Sequence, residues 1–311
     1  MQIIKQTFTD FDVYNATVKD WQLEYNILSK KDFYANLNMF TDDTFAISRI
    51  TLQGKLVHRG LTPIGFRSFV IPINSKEKFI WFNKGVGGNR ILVFPKNCEL
   101  NAVTFNNFDA IVVSIENNLL KEKLKEISCY NCDEVFGEKE KEYFLSKEFS
   151  KEYFKLSNYF LKKHIKNINF SENKTKVHLE LIEKLIDNLL NYIQYARLIK
   201  PIKAKSVKDN ALKEAISFIH NNNESIFSVK ELSIITNVSE RTLLYAFKEK
   251  YNVTPSEYIK SYRLNKVKNE LFALKGTNIN ISAIAGKYHF WHMGQFAKDF
   301  KKHFGILPSE V

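Results

Sequence analysis

The chain has 311 residues, a formal net charge of +12, 44% hydrophobic and 14% aromatic content. This composition supports ordinary folded cores and excludes global disorder. No run of ~18 apolar residues is present, which excludes a transmembrane helix, and "MQIIKQTFTDFD" lacks a signal-peptide core, so the expected location is cytoplasmic.

In chain order, "VKDWQLEYNIL" (residues 18–28) is expected as a short helix. Residues 32–115 read as strands: "DTFAISRITL", "GFRSFVIPI", "KFIWFN", "NRILVF" and "FDAIVVSI" are short, β-branched and aromatic, with Gly, Pro, Asn and Lys breaks between them. Such a series suggests a cupin-like sandwich or a small barrel. From about Asn117 the period lengthens. Helices are expected over 148–166 and 174–198. In the second, Leu179, Ile182, Leu185, Ile186, Leu189, Leu190 and Ile193 recur at steps of three and four. That stripe is either a core face or a dimer seam.

Three cysteines occur, Cys98, Cys129 and Cys132. The last two form C-x-x-C, but no second pair completes a zinc site, and reduced, unliganded thiols are expected. At "LIKPIKAKSVK" (198–208), Pro201 breaks helix and four lysines keep the chain solvated. The expected division is a β-rich domain with C-terminal helices over 1–200, a linker over 201–207 and a helical domain over 208–311. The basic residues favour the last part: 17 Lys+Arg face 10 Asp+Glu from residue 201 onward, against 29 and 24 before it. A Lys- and Asn-rich composition alone could account for this bias, but a basic domain also attracts polyanions, usually nucleic acid.

The C-terminal part writes one ending twice. "FKEKYNVTPSE" (247–257) and "FKKHFGILPSE" (300–310) share five of eleven residues. Each closes a similar block. In the first, Ser228 and Glu231 form a capping box opening a helix to about Thr236. Asn237 and Val238 turn the chain, and Ser239 caps "ERTLLYAFKEKY". In the second, "ISAIAGKY" is followed by a turn and by "MGQFAKDFKKHF". Helix, short turn and second helix is the helix-turn-helix pattern. Between the blocks, Thr254 and Glu257 form another capping box with Pro255 at the first helical position, opening a helix that Gly276 ends. At ~1.5 Å per residue, its ~19 residues span ~28 Å. That length suits two recognition helices held about one DNA turn apart, on successive major grooves.

With "ELSIITNVSERTLLYAFKEKYNVTPSEYIKSYRLNKVKNEL" and "ISAIAGKYHFWHMGQFAKDFKKHFGILPSE", the segment from about 210 to 311 resembles the DNA-binding domain of the AraC/XylS family of bacterial transcription regulators. "WHMGQFAKDFKKHFG" more faintly resembles the branch containing the ethanolamine-utilisation regulator. The family resemblance implies binding to promoter double-stranded DNA, usually activation through RNA polymerase, and an N-terminal domain for dimerisation, small-molecule effector sensing, or both. The family usually has Gly where this chain has Asn237, Asn252 and His289. Asn suits a left-handed turn; His289 is the costlier replacement. Leu244 stands where the family usually has a polar contact.

The candidate DNA-facing residues follow. In the first recognition helix, Leu243 and Phe247 face inward. Arg241 and Tyr245 lie opposite, flanked by Glu240, Thr242 and Lys248. Arg241 can donate bidentately to guanine, whereas Ser239 and Lys248 suit backbone positioning. In the second helix, Met293, Gly294, Gln295 and Lys298 match the family's DNA-facing positions. Trp291 is expected to be structural. No G-x-S-x-G, phosphate-loop or dinucleotide fingerprint appears, and His58 alone in the strand-rich region gives no paired metal ligands. No catalytic residue, cofactor or metal is expected. The reading is an α+β chain: a β-rich N-terminal domain, then an all-α domain with two helix-turn-helix units that binds DNA. A protein-interaction module with a basic helical domain is the alternative.

Overall fold

The computed structural model describes residues 1–18, 24–73, 79–81, 84–95, 97–127, 136–137, 140–166, 172–196, 198–199, 207–222, 225–276 and 280–311. Side chains of 24, 29–32, 84, 164–166, 172–178 and 199 fall outside this description. So do Cys129, Cys132 and the expected linker residues 201–206.

The chain forms two compact units. Unit one comprises Met1–Glu24, Asp32–Gln53 and His58–Pro201; unit two comprises Tyr25–Lys31, Gly54–Val57 and Ile202–Val311. The second unit thus takes two short segments from the strand-rich part of the sequence.

In chain order the N-terminal elements are β1 (Gln2–Phe8), α1 (Phe11–Thr17), β2 (Glu24–Thr41), β3 (Phe45–Leu61), β4 (Phe66–Pro72), β5 (Phe79–Trp81), β6 (Lys84–Val86), β7 (Arg90–Val93), β8 (Glu99–Thr104), β9 (Phe108–Glu116), α2 (Asn117–Ile127), β10 (Lys141–Phe144), α3 (Lys147–Lys166), α4 (Glu172–Tyr195) and β11 (Leu198–Ile199). Among the described residues the strands form one sheet, ordered β11-β10-β7-β4-β9-β3-β8-β5-β6, with β2 joining β1 and β3. Strand pairs β1–β2, β10–β11, β10–β7, β3–β9, β4–β7, β4–β9, β5–β6 and β5–β8 are antiparallel, and in β4–β9 Phe69 opposes Val113. The β-rich class and the five strands read from sequence are present. Of the helix expected over 18–28, residues 24–28 are instead the start of β2 and residues 19–23 lie outside the described residues; a short helix lies earlier, at α1. Tyr25, Asn26, Ile27 and Leu28 are all buried. A strand covered on both faces shows no alternation, so a short apolar run cannot be told from helix by period.

Among the described residues, two hydrophobic clusters lie in unit one. In the larger, Phe69, Ile71, Ile91, Val93, Ile111 and Val113 from the sheet meet Leu120, Phe160, Ile182, Leu185, Leu189 and Ile193 from the helices. The stripe on α4 is therefore spent on its own core from Ile182 to Ile193, and Leu179 is the one member of that stripe left exposed. In the smaller cluster Trp81 packs edge-on to Phe94, beside Phe79, Val86 and Leu92.

The rest of unit two is helical: α5 (Val207–Asn221), α6 (Val229–Ile235), α7 (Glu240–Tyr251), α8 (Pro255–Ala273), α9 (Ile281–Lys287) and α10 (Met293–Phe304), ending in a 3-10 turn at Pro308–Glu310. Leu264, Val267 and Leu271 of α8 pack with Ile284, Ala285, Tyr288, Phe296 and Phe300. No helix among the described residues is long and apolar enough to cross a membrane.

Candidate nucleic-acid interface

Each helix-turn-helix is set by local chemistry. Ser228 Oγ accepts from the Glu231 amide at 3.1 Å, while the Glu231 carboxylate takes the Ser228 amide at 2.6 Å. The Ser228 amide and then the Ser228 hydroxyl, which donates to the same carboxylate at 2.8 Å, hold the Glu231 carboxyl below its ordinary value. Helix α6 ends at Ile235 with Thr236 as its cap, and Asn237 then turns the chain with φ 50°. Ser239 Oγ then accepts from the Thr242 amide at 3.1 Å and starts α7. Thr254 and Glu257 repeat the reciprocal box at the start of α8, with Pro255 first in the helix. In the second unit Asn280 caps α9 through the Ala283 amide, and His289 makes the equivalent turn with φ 67°. Asn252 and Gly305, aligned in the repeated ending, both end their helices in the left-handed region, at φ 51° and 87°. The three positions where the sequence replaces the family's glycines all have positive φ.

Helix α7 presents two faces. Leu243, Ala246 and Phe247 are buried, whereas Glu240, Arg241, Tyr245 and Lys248 are exposed. Arg241, Tyr245 and Lys248 stand at i, i+4 and i+7, so they form one outward stripe. The Arg241 guanidinium donates to the Tyr245 hydroxyl at 3.1 Å and lies over its ring at 5.4 Å. Ser239 and Thr242 engage each other, Oγ to Oγ1 2.9 Å. Ser239 is thus the helix cap, and Thr242 is partly covered.

On α10, Phe296 and Phe300 face the core, and Gly294, Gln295 and Lys298 are exposed. Met293 is partly buried against the core cluster. A Cβ at Gly294 would meet nothing within 4 Å, so the position is open to an approaching molecule. Gln295 hydrogen-bonds Asp299, which Lys260 of α8 pins at 2.5 Å. Trp291 departs from its expected structural role: it is 66% exposed just before α10. Phe290 and Phe296, 5.2 Å apart, already fill the inner face of the turn, leaving the indole outside. Exposure is the signal that sequence reading lacked there. It also missed Ser261, Asn265 and His303, which lie on inner faces of α8 and α10.

Two helix-turn-helix units joined by one helix, each presenting a polar outward face on its second helix, define a DNA-binding domain. Residues 232–311 match the family model of the helix-turn-helix domain. The chain is 29% identical over 101 residues to an XylDLEGF operon transcriptional activator of Pseudomonas putida, covering 32% of each. It is 33% identical over 97 residues to a second activator of that operon, covering 31% of this chain and 61% of that one. Among solved structures it is similar to an AraC-type DNA-binding protein from Chromobacterium violaceum, 30% identical over 32% of this chain and 87% of that one, TM-score 0.30. It is also similar to the AraC-like activator CuxR, 11% identical over 84% and 94%, TM-score 0.44. The chain spans less than two thirds of the length of these operon activators. The C-terminal helices thus carry a helix-turn-helix domain similar in sequence to those of AraC/XylS-type transcription regulators.

Proposed function

We propose that the protein is a sequence-specific DNA-binding transcription regulator, and an activator as the two XylDLEGF operon relatives are, placing α7 and α10 in successive major grooves of promoter DNA. The observation that carries this reading is the pair of outward polar faces, Arg241–Tyr245–Lys248 on α7 and Gly294–Gln295–Lys298 on α10. In the first, Arg241 reads guanine, Tyr245 meets a phosphate or a thymine methyl, and Ser239, Glu240, Thr242 and Lys248 border the backbone. In the second, Gln295 reads adenine once it leaves Asp299, Lys298 meets phosphate or guanine, and Met293 meets a thymine methyl. Exposed Trp291 adds a flat apolar contact at the groove edge.

Around this interface, residues 1–200 serve sensing and homodimerisation, 201–207 link the domains, and RNA polymerase is the protein partner at the promoter. A small-molecule effector would act through the strand-rich part. Because the α4 stripe is buried, a homodimer would use other faces, and sedimentation of the full chain at micromolar concentration tests for it. The relatives above lend no support to the ethanolamine-utilisation branch, and the reading carries no ethanolamine ligand. The test of the central reading is binding across a salt series to a duplex selected from a random pool and to its scrambled counterpart. Selective binding with a steep salt slope supports it. Equal affinity for both duplexes, or none, would leave a protein-interaction module.

A further inference from the structure

Ile27 lies in the segment Tyr25–Lys31, which belongs to unit two although it sits in strand β2. Strand β1 pairs with β2 only from Ala35 to Thr41. At Ile27 the backbone groups instead meet helical side chains. The Ile27 carbonyl accepts from Ser261 Oγ at 2.7 Å, from His303 Nε2 at 2.8 Å and from Asn265 Nδ2 at 3.1 Å. The Ile27 amide donates to Asn265 Oδ1 at 3.4 Å. Asn265 therefore addresses both polar groups of one residue, as a neighbouring strand would, and its second Nδ2 hydrogen goes to the Ser261 carbonyl at 2.8 Å. Ser261 and Asn265, one helical turn apart on α8, are nearly fully buried. Polar side chains buried on a helix need such partners.

His303 comes from a different helix. It lies in the last turn of α10, the second recognition helix, and its Nε2 is also 3.3 Å from Ser261 Oγ. One extended peptide thus ties the C-terminal end of α10 to the middle of α8. Helix α7 enters none of these bonds.

We propose that Ser261, Asn265 and His303 form a seat for the Ile27 peptide that positions the second recognition helix, so that the strand segment Tyr25–Leu28 is a working part of the DNA-binding unit. This rests on the DNA-binding reading above. The seat touches no DNA; its three side chains are positioning residues, acting through α10. Their effect is confined to the half-site read by α10.

The test uses the full chain, as wild type, His303→Ala and His303→Gln, the last keeping an amide donor near the place of Nε2. Hydrogen exchange of amides 25–28 is measured first. Binding is then measured to a duplex selected from a random pool by the wild type, and to versions with either half-site scrambled. His303→Ala is expected to speed exchange of 25–28 by about fivefold to tenfold, as one lost hydrogen bond allows. It should also remove the penalty for scrambling one half-site while leaving the other penalty intact, and His303→Gln should restore both. Unchanged exchange in His303→Ala overturns the seat. A matched fall in both half-site penalties overturns the positioning role in favour of general weakening. If His303→Ala does not fold, Ser261→Ala, which removes one hydroxyl, is judged by the same outcomes. If the wild type itself shows no half-site preference, the DNA-binding reading and the positioning role fall together, and the exchange arm still decides whether the seat holds the strand.

Discussion

Asn237 and His289 hold the same place in the two helix-turn-helix units, and both are left-handed, with φ 50° and 67°. The two residues meet that demand differently. An Asn side chain tolerates the region well. His289 is strained there, and both of its buried ring nitrogens have no hydrogen-bond partner among the described residues. Strain of this kind costs roughly 1–3 kcal/mol. His289→Gly should therefore stabilise the protein by about 1 kcal/mol, after the extra chain entropy of glycine is subtracted. Asn237→Ala should destabilise it by about 1 kcal/mol. Urea unfolding followed by far-UV circular dichroism measures both, and a lower midpoint for His289→Gly would show that the ring is stabilising.

Arg241→Ala and Lys298→Ala should fail in different ways. Arg241 is exposed at the start of α7, with Tyr245 holding its guanidinium by a bond of 3.1 Å. Its loss should weaken the preferred duplex by roughly 1–3 kcal/mol and relax specificity at one base pair. Lys298 is exposed on α10. If it meets phosphate, its loss should weaken all duplexes alike and reduce the salt slope by about one. Binding selections and salt titrations on the two variants separate these outcomes. An unchanged sequence profile for Arg241→Ala would remove it from the interface.

The C-terminal unit was legible because its signals are local. Capping boxes at Ser228 and Thr254, the turn at Asn237 and the doubled ending all act within a few residues, and the sequence displays them in order. The early strand was not legible for the converse reason. Residues 25–28 are buried on both faces, and Ile27 is held by groups more than two hundred residues away. Ser261 and Asn265 read as ordinary polar residues on a helix until their partner is known. Trp291 was misassigned because an aromatic beside a turn is usually core, and here the neighbouring phenylalanines occupy that space.

Gly294 offers a test in which stability and binding move oppositely. It lies in the first turn of α10, exposed, with open space where a Cβ would go. Gly294→Ala should raise helix stability by at most about 1 kcal/mol, since alanine restricts the unfolded chain and favours helix. If DNA approaches the backbone closely there, the added methyl should weaken specific binding severalfold. A thermal melt and a binding isotherm on one preparation measure the pair. A variant both more stable and equally tight in binding would show that the glycine is not needed for close approach.

Acid should loosen the protein before its carboxylates protonate. Burial is the main cause holding the His303 imidazole down at about 4; Lys268 and Lys260 add to this, while the Ile27 carbonyl and Asp299 oppose it. His58, bonded to Thr104 Oγ1 at 2.7 Å, is held by burial at about 3. In the unfolded chain both titrate near the ordinary histidine value of ~6.5. Below that pH the unfolded state binds more protons, so stability rises with pH and is lost on acidification. This contribution is complete above ~6.5 and disappears as pH falls towards about 4 for His303 and about 3 for His58. The boxed carboxylates Glu231 and Glu257 have lowered values, so their loss begins only below the ordinary glutamate range. Between pH 6.5 and 5 the slope should therefore come chiefly from the two histidines, each contributing at most about 1.4 kcal/mol per pH unit. Urea midpoints across that window measure it. His303→Gln and His58→Gln should each flatten the slope, and a flat wild-type profile would mean that neither imidazole is held neutral by the fold.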